Sequence, residues 1–394
     1  KFRVIKMNKM SSQEILYKLI AFDTVSSNSN MEMIQFILDY LAKFGVSARL
    51  VRDLHEDKAN LFAVIGPKNI PGIMLSGHTD VVPVEGQKWS SGPFEMTERN
   101  GRLYGRGSCD MKGFIACVLA KVPEFVAVDL KEPIYLAFSY DEETGCTGVD
   151  SLVDVVNELS VKPRACIVGE PTSMKVVNSH KGIRHLLTKV YGHENHSSTD
   201  RGLNAISYAA EIVTFIDDIQ DEMRLRPSDV DGFDPPYCTV HAGRINGGVA
   251  ANVTPNYCEI EWDYRPIPGT DEDEVYNRYC EFIKNTILPK MRKKSSEYGE
   301  IKTEILSKVP CLFPETGSDA ETLVKHLAEQ NSTHVVSYGT EAGIFYQKGG
   351  VPSIVCGPGS ILQAHMADEY IDISELEACD RFLDRLLDIV KNSD

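Results

Sequence analysis

Short apolar runs rich in β-branched residues, several of them followed within a few positions by an acidic or imidazole side chain, constrain this chain more than any other feature. Leu61–Ile65, Ile73–Leu75, Ile134–Tyr140, Ala165–Val168 and Ile354–Cys356 are such runs, with helically spaced segments between several of them. Near-continuous hydrophobicity is the mark of strands buried on both faces. The pattern predicts an α/β domain with a mainly parallel, covered sheet. Ahead of the first run, apolar residues recur at helical spacing (Ile15, Leu16, Leu19, Ile20, then Ile34, Phe36, Ile37, Leu41) on either side of a loop at 26–30, which predicts two helices. Residues before Met7 or Met10 read as an extension without fold signal.

From about Gly182 to Lys308 the rhythm changes. Strand-like Ile183–Tyr191 precedes helical Ala205–Ile219; strand-like Tyr237–Arg244 and Cys258–Tyr264 precede helical Glu272–Met291; Ile301–Leu306 adds a last strand. That βαββαβ order describes a small ferredoxin-like α+β sandwich. Because 394 residues exceed what one core organises, two domains are expected: 1–181 with 309–394, interrupted by an insertion at 182–308.

Composition removes several function classes. Acidic residues outnumber basic ones by 57 to 41, and a net charge of −16 leaves no cationic surface for a nucleic acid backbone. Apolar stretches fall far short of the roughly 20 residues of a membrane helix, and none follows a secretory n-region, so no membrane partner is expected. The ten cysteines form no CxxC pairs, which favours reduced thiols and a cytoplasmic location.

The chemistry gathers at strand ends. Ile73–Ser76 runs into Gly77-His78-Thr79-Asp80, Ile134–Tyr140 into Asp141-Glu142-Glu143, Ala165–Val168 into Gly169-Glu170, and Ser353–Cys356 into a loop carrying His365. Asp110 lies in the Gly-rich loop 105–113, directly before a helical segment. Ligand sites in parallel α/β sheets form beyond the carboxyl ends of strands, so these groups are expected to converge in one crevice. So many carboxylates cannot ionise together without a cation. Imidazole and carboxylate donors without thiolates suit zinc, cobalt or manganese at a hydrolytic site. Singly, a His-x-Asp is usually a surface pair and Glu142-Glu143 a solvated turn; it is their joint placement that argues for chemistry.

With these motifs in order over nearly the whole length, the chain resembles the aminoacylase/carboxypeptidase family of two-zinc metallohydrolases, metallopeptidases and deacylases in which a lid or dimerisation domain interrupts a bimetal catalytic domain. The resemblance implies two divalent ions, zinc first and cobalt as an alternative. His78 and Glu170 are similar to ligands of one ion, Glu143 and His365 to ligands of the other, and Asp110 to the bridging carboxylate. Asp80 resembles the carboxylate that orients His78, and Glu142 the general base. His196, in Gly192-His193-Glu194-Asn195-His196-Ser197-Ser198, is similar to the lid histidine that stabilises the tetrahedral oxygen, in related enzymes across a dimer; Thr199-Asp200 stands where a proline often follows. Asn252 and Arg265 resemble a pair that binds the substrate α-carboxylate.

The segments Tyr338–Gly343, Gly357–Ser360 and Ala364–Tyr370 are similar to the acetylornithine deacetylase branch, although Ala367 stands where a proline is typical. That likeness implies hydrolysis of N2-acetyl-L-ornithine to L-ornithine and acetate, a step of arginine biosynthesis, with an N-acyl amino acid as the small-molecule partner and a homodimer formed through the lid. Glu341 is expected to face a cationic substrate side chain. Acetylcitrulline deacetylase, aminoacylase, desuccinylase and carboxypeptidase activities would use the same metals. A serine or cysteine hydrolase is disfavoured, because no Gly-x-Ser-x-Gly elbow occurs and Cys109 adjoins an expected ligand. A non-catalytic binding homologue is disfavoured too, because base and ligands are all present.

Overall fold

The computed structural model describes residues 9–53 and 57–392, so most of the stretch before Met10 lies outside the described residues. The chain divides into two compact units, one of Lys1–Ser179, Pro314–His334 and Thr340–Asp394, the other of His180–Phe313 with Val335–Gly339. No helix among the described residues is long and apolar enough to cross a membrane.

The first unit is an α/β fold on a large, mixed sheet. Its strands run in the order Ala48–Arg52, Ala59–Ile65, Ile134–Ser139, Ile73–His78, Ala165–Val168, Ser353–Val355 and Val177–His180. The four middle strands are mutually parallel, while Ala48–Arg52, Ala59–Ile65 and Val177–His180 pair antiparallel. Every residue of Ile73–His78, Ile134–Ser139 and Ala165–Val168 is buried, as expected of strands covered on both faces. The helix Lys112–Ala127 contributes Phe114, Ile115, Val118 and Leu119 to the core, and Leu376, Phe382, Leu383 and Leu386 of the last helix, Ile373–Asn392, belong to the same cluster. The two N-terminal helices form at Ser12–Ile20 and Met31–Lys43; the first is closed by a reciprocal capping box between Ser11 and Glu14.

Register decides what lies at the open end of the sheet. His78 pairs with Ser139, and Ser76 pairs with Val168, so two residues further along His78 stands level with Glu170. Because the strands are parallel, the chain leaves all of them toward the same edge, and residues 141–143, 170 and 365 follow there. A small three-stranded sheet of Tyr370–Asp372, Arg102–Tyr104 and Thr97–Arg99, unmarked by any strong sequence signal, adds a second tie between distant loops.

The second unit has a four-stranded antiparallel sheet in the order Thr239–Gly247, Tyr257–Arg265, Ile183–Tyr191, Glu300–Val309. In Ile183–Tyr191 and Tyr257–Arg265 alternate residues are buried, so one face only is covered. Helices Ala205–Arg224 and Glu274–Phe282 supply Ile212, Ile216 and Tyr279 to the core that contains Trp262. The indole N–H donates to Thr188 Oγ1 at 3.0 Å, which satisfies the one polar atom of a fully buried ring.

Gly169 precedes Glu170 and packs against Phe114: a Cβ added there would stand 2.0 Å from the buried ring. Gly169→Ala is therefore expected to cost about 1–3 kcal/mol by overpacking. Thermal unfolding checks it, and an unchanged midpoint would show that the ring can move aside.

Candidate metal centre

The parallel edge gathers donors into two overlapping triads. His78, Asp110 and Glu170 place one donor atom each within 4.8 Å of one another, and so do Asp110, Glu143 and His365. Asp110 belongs to both, through different oxygens. Its Oδ1 lies 3.1 Å from His78 Nε2, and its Oδ2 lies 3.2 Å from His365 Nε2. His365 Nε2 is also 3.1 Å from Glu143 Oε2, and His78 Nε2 is 3.9 Å from Glu170 Oε1. One carboxylate thus stands between two imidazoles, each accompanied by a second carboxylate.

Hydrogen bonding around His78 indicates which nitrogen is free. Nδ1 lies 2.9 Å from the main-chain oxygen of Asp80, a group that only accepts, so Nδ1 carries the proton. Neutral imidazole then turns its Nε2 lone pair toward carboxylate oxygens, an arrangement that requires a shared proton or a cation between them. The Asp80 carboxylate is farther from Nδ1, at 3.6 Å, because three other donors claim it. They are the Ser26 hydroxyl at 2.7 Å and the backbone N–H groups of Glu142 and Glu143 at 3.1 and 3.2 Å. Asp80 therefore steadies the Glu142-Glu143 turn as well as standing beside His78, a duty the sequence motif did not announce.

Electrostatics point the same way. Burial pushes the Glu142 carboxyl up to about 8, with the neighbouring Glu143, Asp110 and Asp80 charges adding to it and His78 opposing. Burial and Asp110 raise Glu143 to about 7, and burial with Glu142 and Asp110 raises Glu170. Burial opposes the His78 imidazolium, yet its bonds to Asp110 and Asp80 hold its pKa well above the usual value. His365 is pushed up to about 10 by Asp110 and Glu143. Protons are thus retained wherever positive charge is wanted. Oε1 of Glu143 and Oε1 of Glu170 are buried without a hydrogen-bond partner, a costly arrangement in a native protein. A donor set of two imidazoles and carboxylates, with two orphaned oxygens, fits divalent cations at both triads.

Several neighbours escaped sequence reasoning. Lys58 places its ammonium 2.8 Å from Asp141 Oδ2 and 2.7 Å from Ser26 O, tethering the turn one residue before Glu142. The Cys146 thiol donates to Glu142 Oε1 at 3.3 Å. Lys58 and Ser26 are distant in sequence, so spacing could not reveal them; Cys146 was legible only as a residue four positions on. Cys109 is buried, and burial with the Glu369 and Asp110 charges keeps its thiol protonated, which suits packing and not nucleophilic attack.

Glu341 corrects an expectation. It is fully buried, and its oxygens lie 2.5 Å from the Ser76 hydroxyl and 2.7 Å from that of Ser139. A carboxyl enclosed this way, raised further by burial, is no reader of a substrate ammonium. The serines that enclose it lie on the same strands that end in the site.

In the second unit, His196 and Asn252 sit close together. His196 is bridged to Val253, Ser197 N donates to Asn252 O at 3.0 Å, and His196 Nδ1 lies 2.7 Å from Ser198 Oγ. Both are exposed. Arg265 ends the strand that begins at Tyr257, with its Nε on Asp263 Oδ2 at 2.8 Å. Residues 248–256 leave from the other end of that strand, where Gly247 pairs with Cys258. A nine-residue strand at about 3.3 Å per residue spans roughly 27 Å, so Asn252 and Arg265 of one chain do not form a joint grip on one carboxylate.

Cation binding requires neutral imidazoles and ionised carboxylates. Since His365, Glu142 and Glu143 all hold protons at or above neutrality, binding at pH 7 should release roughly one or more protons, and affinity should fall as pH drops. Calorimetric zinc titration of metal-free protein in buffers of different ionisation enthalpy checks the sign. Net proton uptake would contradict it.

The chain matches the profile of Peptidase family M20/M25/M40 over residues 74–389. It is 33% identical over 366 residues to the acetylornithine deacetylase of Buchnera aphidicola subsp. Acyrthosiphon pisum (strain Tuc7), covering 91% of this chain and 92% of that one. It is 34% identical over 378 residues to that of Myxococcus xanthus, covering 94% and 95%. An M20 family metallo-carboxypeptidase from Sulfolobus solfataricus has the same fold, with a TM-score of 0.74 at 18% identity over 98% of this chain and all of the other. With its ligand-bearing strands inside the matched span, the chain belongs to peptidase family M20/M25/M40.

Proposed function

We propose that this protein hydrolyses the amide bond of an N-acyl amino acid at a dinuclear metal centre, with N2-acetyl-L-ornithine as substrate and zinc, or cobalt in its place, as the metal. The observation that carries the reading is the Asp110 carboxylate set between His78 and His365, one oxygen to each. Relatives named acetylornithine deacetylase, alike over more than nine-tenths of the chain, support the substrate. Cysteines scattered without CxxC pairs support a reducing cytoplasm as its location.

His78, Asp110 and Glu170 would hold one ion, and Asp110, Glu143 and His365 the other. Bound there, the ions supply Lewis-acid polarisation of the acyl carbonyl and a more acidic water. Glu142 takes the proton as water attacks the acyl carbon, then returns it to the departing amine, so that one carboxyl serves as base and acid. Its Oε1 is occupied by the Cys146 thiol, which leaves Oε2 for the transfer. Arg265 keeps its Nε on Asp263, and its two terminal nitrogens remain to grip an α-carboxylate in bidentate fashion. His196 donates to the tetrahedral oxygen.

The protein acts as a homodimer in this reading, with His196 and Asn252 serving the partner's substrate. Support comes from the second unit itself, whose sheet keeps Arg265 and the His196–Asn252 corner at opposite ends.

Steady-state comparison of acetylornithine, acetylcitrulline, succinyl-diaminopimelate and acetylmethionine, with zinc or cobalt supplied, tests the substrate. The highest kcat/KM is expected for acetylornithine, and a higher value for any other would move the assignment. Glu142→Gln should lose about 100- to 10,000-fold in kcat while still binding metal. Co-expressed Glu142→Gln and His196→Ala chains, each inactive alone, should regain activity as mixed dimers, because one site per dimer then has both residues. Continued inactivity would place His196 in its own subunit's reaction.

A further inference from the structure

The loop that carries Asp110 and the loop that carries His365 are joined by polar contacts, buried around Glu369 and exposed at the Gln87–His365 end, that no part of the proposed chemistry uses. The small antiparallel sheet sets Tyr370 opposite Tyr104, which brings residues 365–369 beside 105–110. There Glu369, almost wholly buried, accepts four hydrogen bonds. Its Oε1 takes the backbone N–H groups of Cys109 at 3.0 Å and Asp110 at 3.1 Å, and its Oε2 takes that of Gly107 at 2.9 Å and Arg106 Nη1 at 2.8 Å. Arg106 is equally buried and lies over the Trp89 ring. Its Nη2 donates to Gln87 Oε1 at 2.5 Å, and Gln87 Nε2 donates to the main-chain oxygen of His365 at 2.9 Å. A continuous chain of hydrogen bonds therefore runs from the N–H of Asp110 to the C=O of His365.

His365 needs such a tether. Its φ of +62° is in the left-handed region that non-glycine residues occupy only when their surroundings hold them there. Gln87 grips the very peptide that must stay in that conformation. A buried arginine–carboxylate pair is also a poor source of net stability, which leaves its placement between the two loops unexplained by folding alone.

We infer that Glu369, Arg106 and Gln87 are positioning residues, a brace that fixes the separation of Asp110 and His365 and so sets the affinity of the cation held with Glu143. The inference rests on the dinuclear reading and adds to it which residues outside the ligands govern the second site. Partners that orient ligands of this kind typically change metal affinity about 10- to 100-fold. Gln87 bonds the main chain of His365 directly and meets the Asp110 loop only through the Arg106 side chain, so its loss should weaken one cation more than the other. Glu369 holds the backbone of the shared Asp110, so its loss should weaken both.

Cobalt(II) titration of metal-free protein, followed by calorimetry and absorption, tests this together with the unfolding midpoint of each metal-free variant. Wild type is expected to bind two cobalt ions per chain. Gln87→Ala should keep the first within about 2-fold and weaken the second at least about 10-fold, with the metal-free midpoint unchanged; Glu369→Gln should weaken both. Wild-type affinities at both sites in both variants would overturn the brace while leaving the dinuclear reading intact. So would equal weakening of both ions in Gln87→Ala together with a lowered metal-free midpoint, the signature of a merely structural role. Fewer than two ions in wild type would overturn the dinuclear reading itself, and the brace with it.

Discussion

Asp110, Glu142, Glu143 and Glu170 crowd a buried crevice in which two imidazoles are the nearest positive groups. Like charges at such separations drive one another toward protonation unless a counter-charge is present. That pressure falls unevenly: the Glu142, Glu143 and Glu170 carboxyls are raised, Asp110 is lowered despite its burial by the two imidazoles it bonds, and two carboxylate oxygens are left buried without partners. Two orphaned carboxylate oxygens among crowded acids, one beside each imidazole, suit charge supplied from outside.

The sheet delivers the crowding. Four parallel strands leave toward one edge, and their register sets His78 level with Glu170 and next to the turn that carries Glu142 and Glu143. Precision then comes from contacts behind the ligands. Asp80 holds two backbone N–H groups of the Glu142-Glu143 turn, Lys58 ties down Asp141, and Glu369 receives the backbone of the Asp110 loop. Burial makes these contacts stiff, since a polar group that lets go finds no water to replace its partner.

What the sequence disclosed follows from what is local. Strand runs such as Ile134–Ser139 announce themselves by composition, and the βαββαβ order at 183–309 by alternation, because both patterns are written in consecutive residues. His78, Glu143 and Glu170 were legible because each lies at or just beyond a strand end, and Asp110 because it stands just before a helix; His365, ten residues past its strand, was legible only through the family-like segment that carries it. Contacts made by side chains far apart in sequence were not legible. Nothing around Glu369 marks it as the acceptor for the Asp110 loop, and nothing around Ser76 or Ser139 marks them as the cage of Glu341. The misreading of Glu341 has that origin: its place in a family-like segment suggested the substrate, while burial and two serine hydroxyls give it an interior role. Asn252 and Arg265 read as a pair on motif alone, and strand length separates them within one chain.

The central claim is that this crevice exists to hold two cations with Asp110 between them. Anomalous diffraction from crystals grown with zinc tests it without reference to catalysis. Two peaks are expected, one bonded to His78 and Glu170, the other to Glu143 and His365, with the two oxygens of Asp110 divided between them. A single peak, or none with these side chains turned apart, would contradict it.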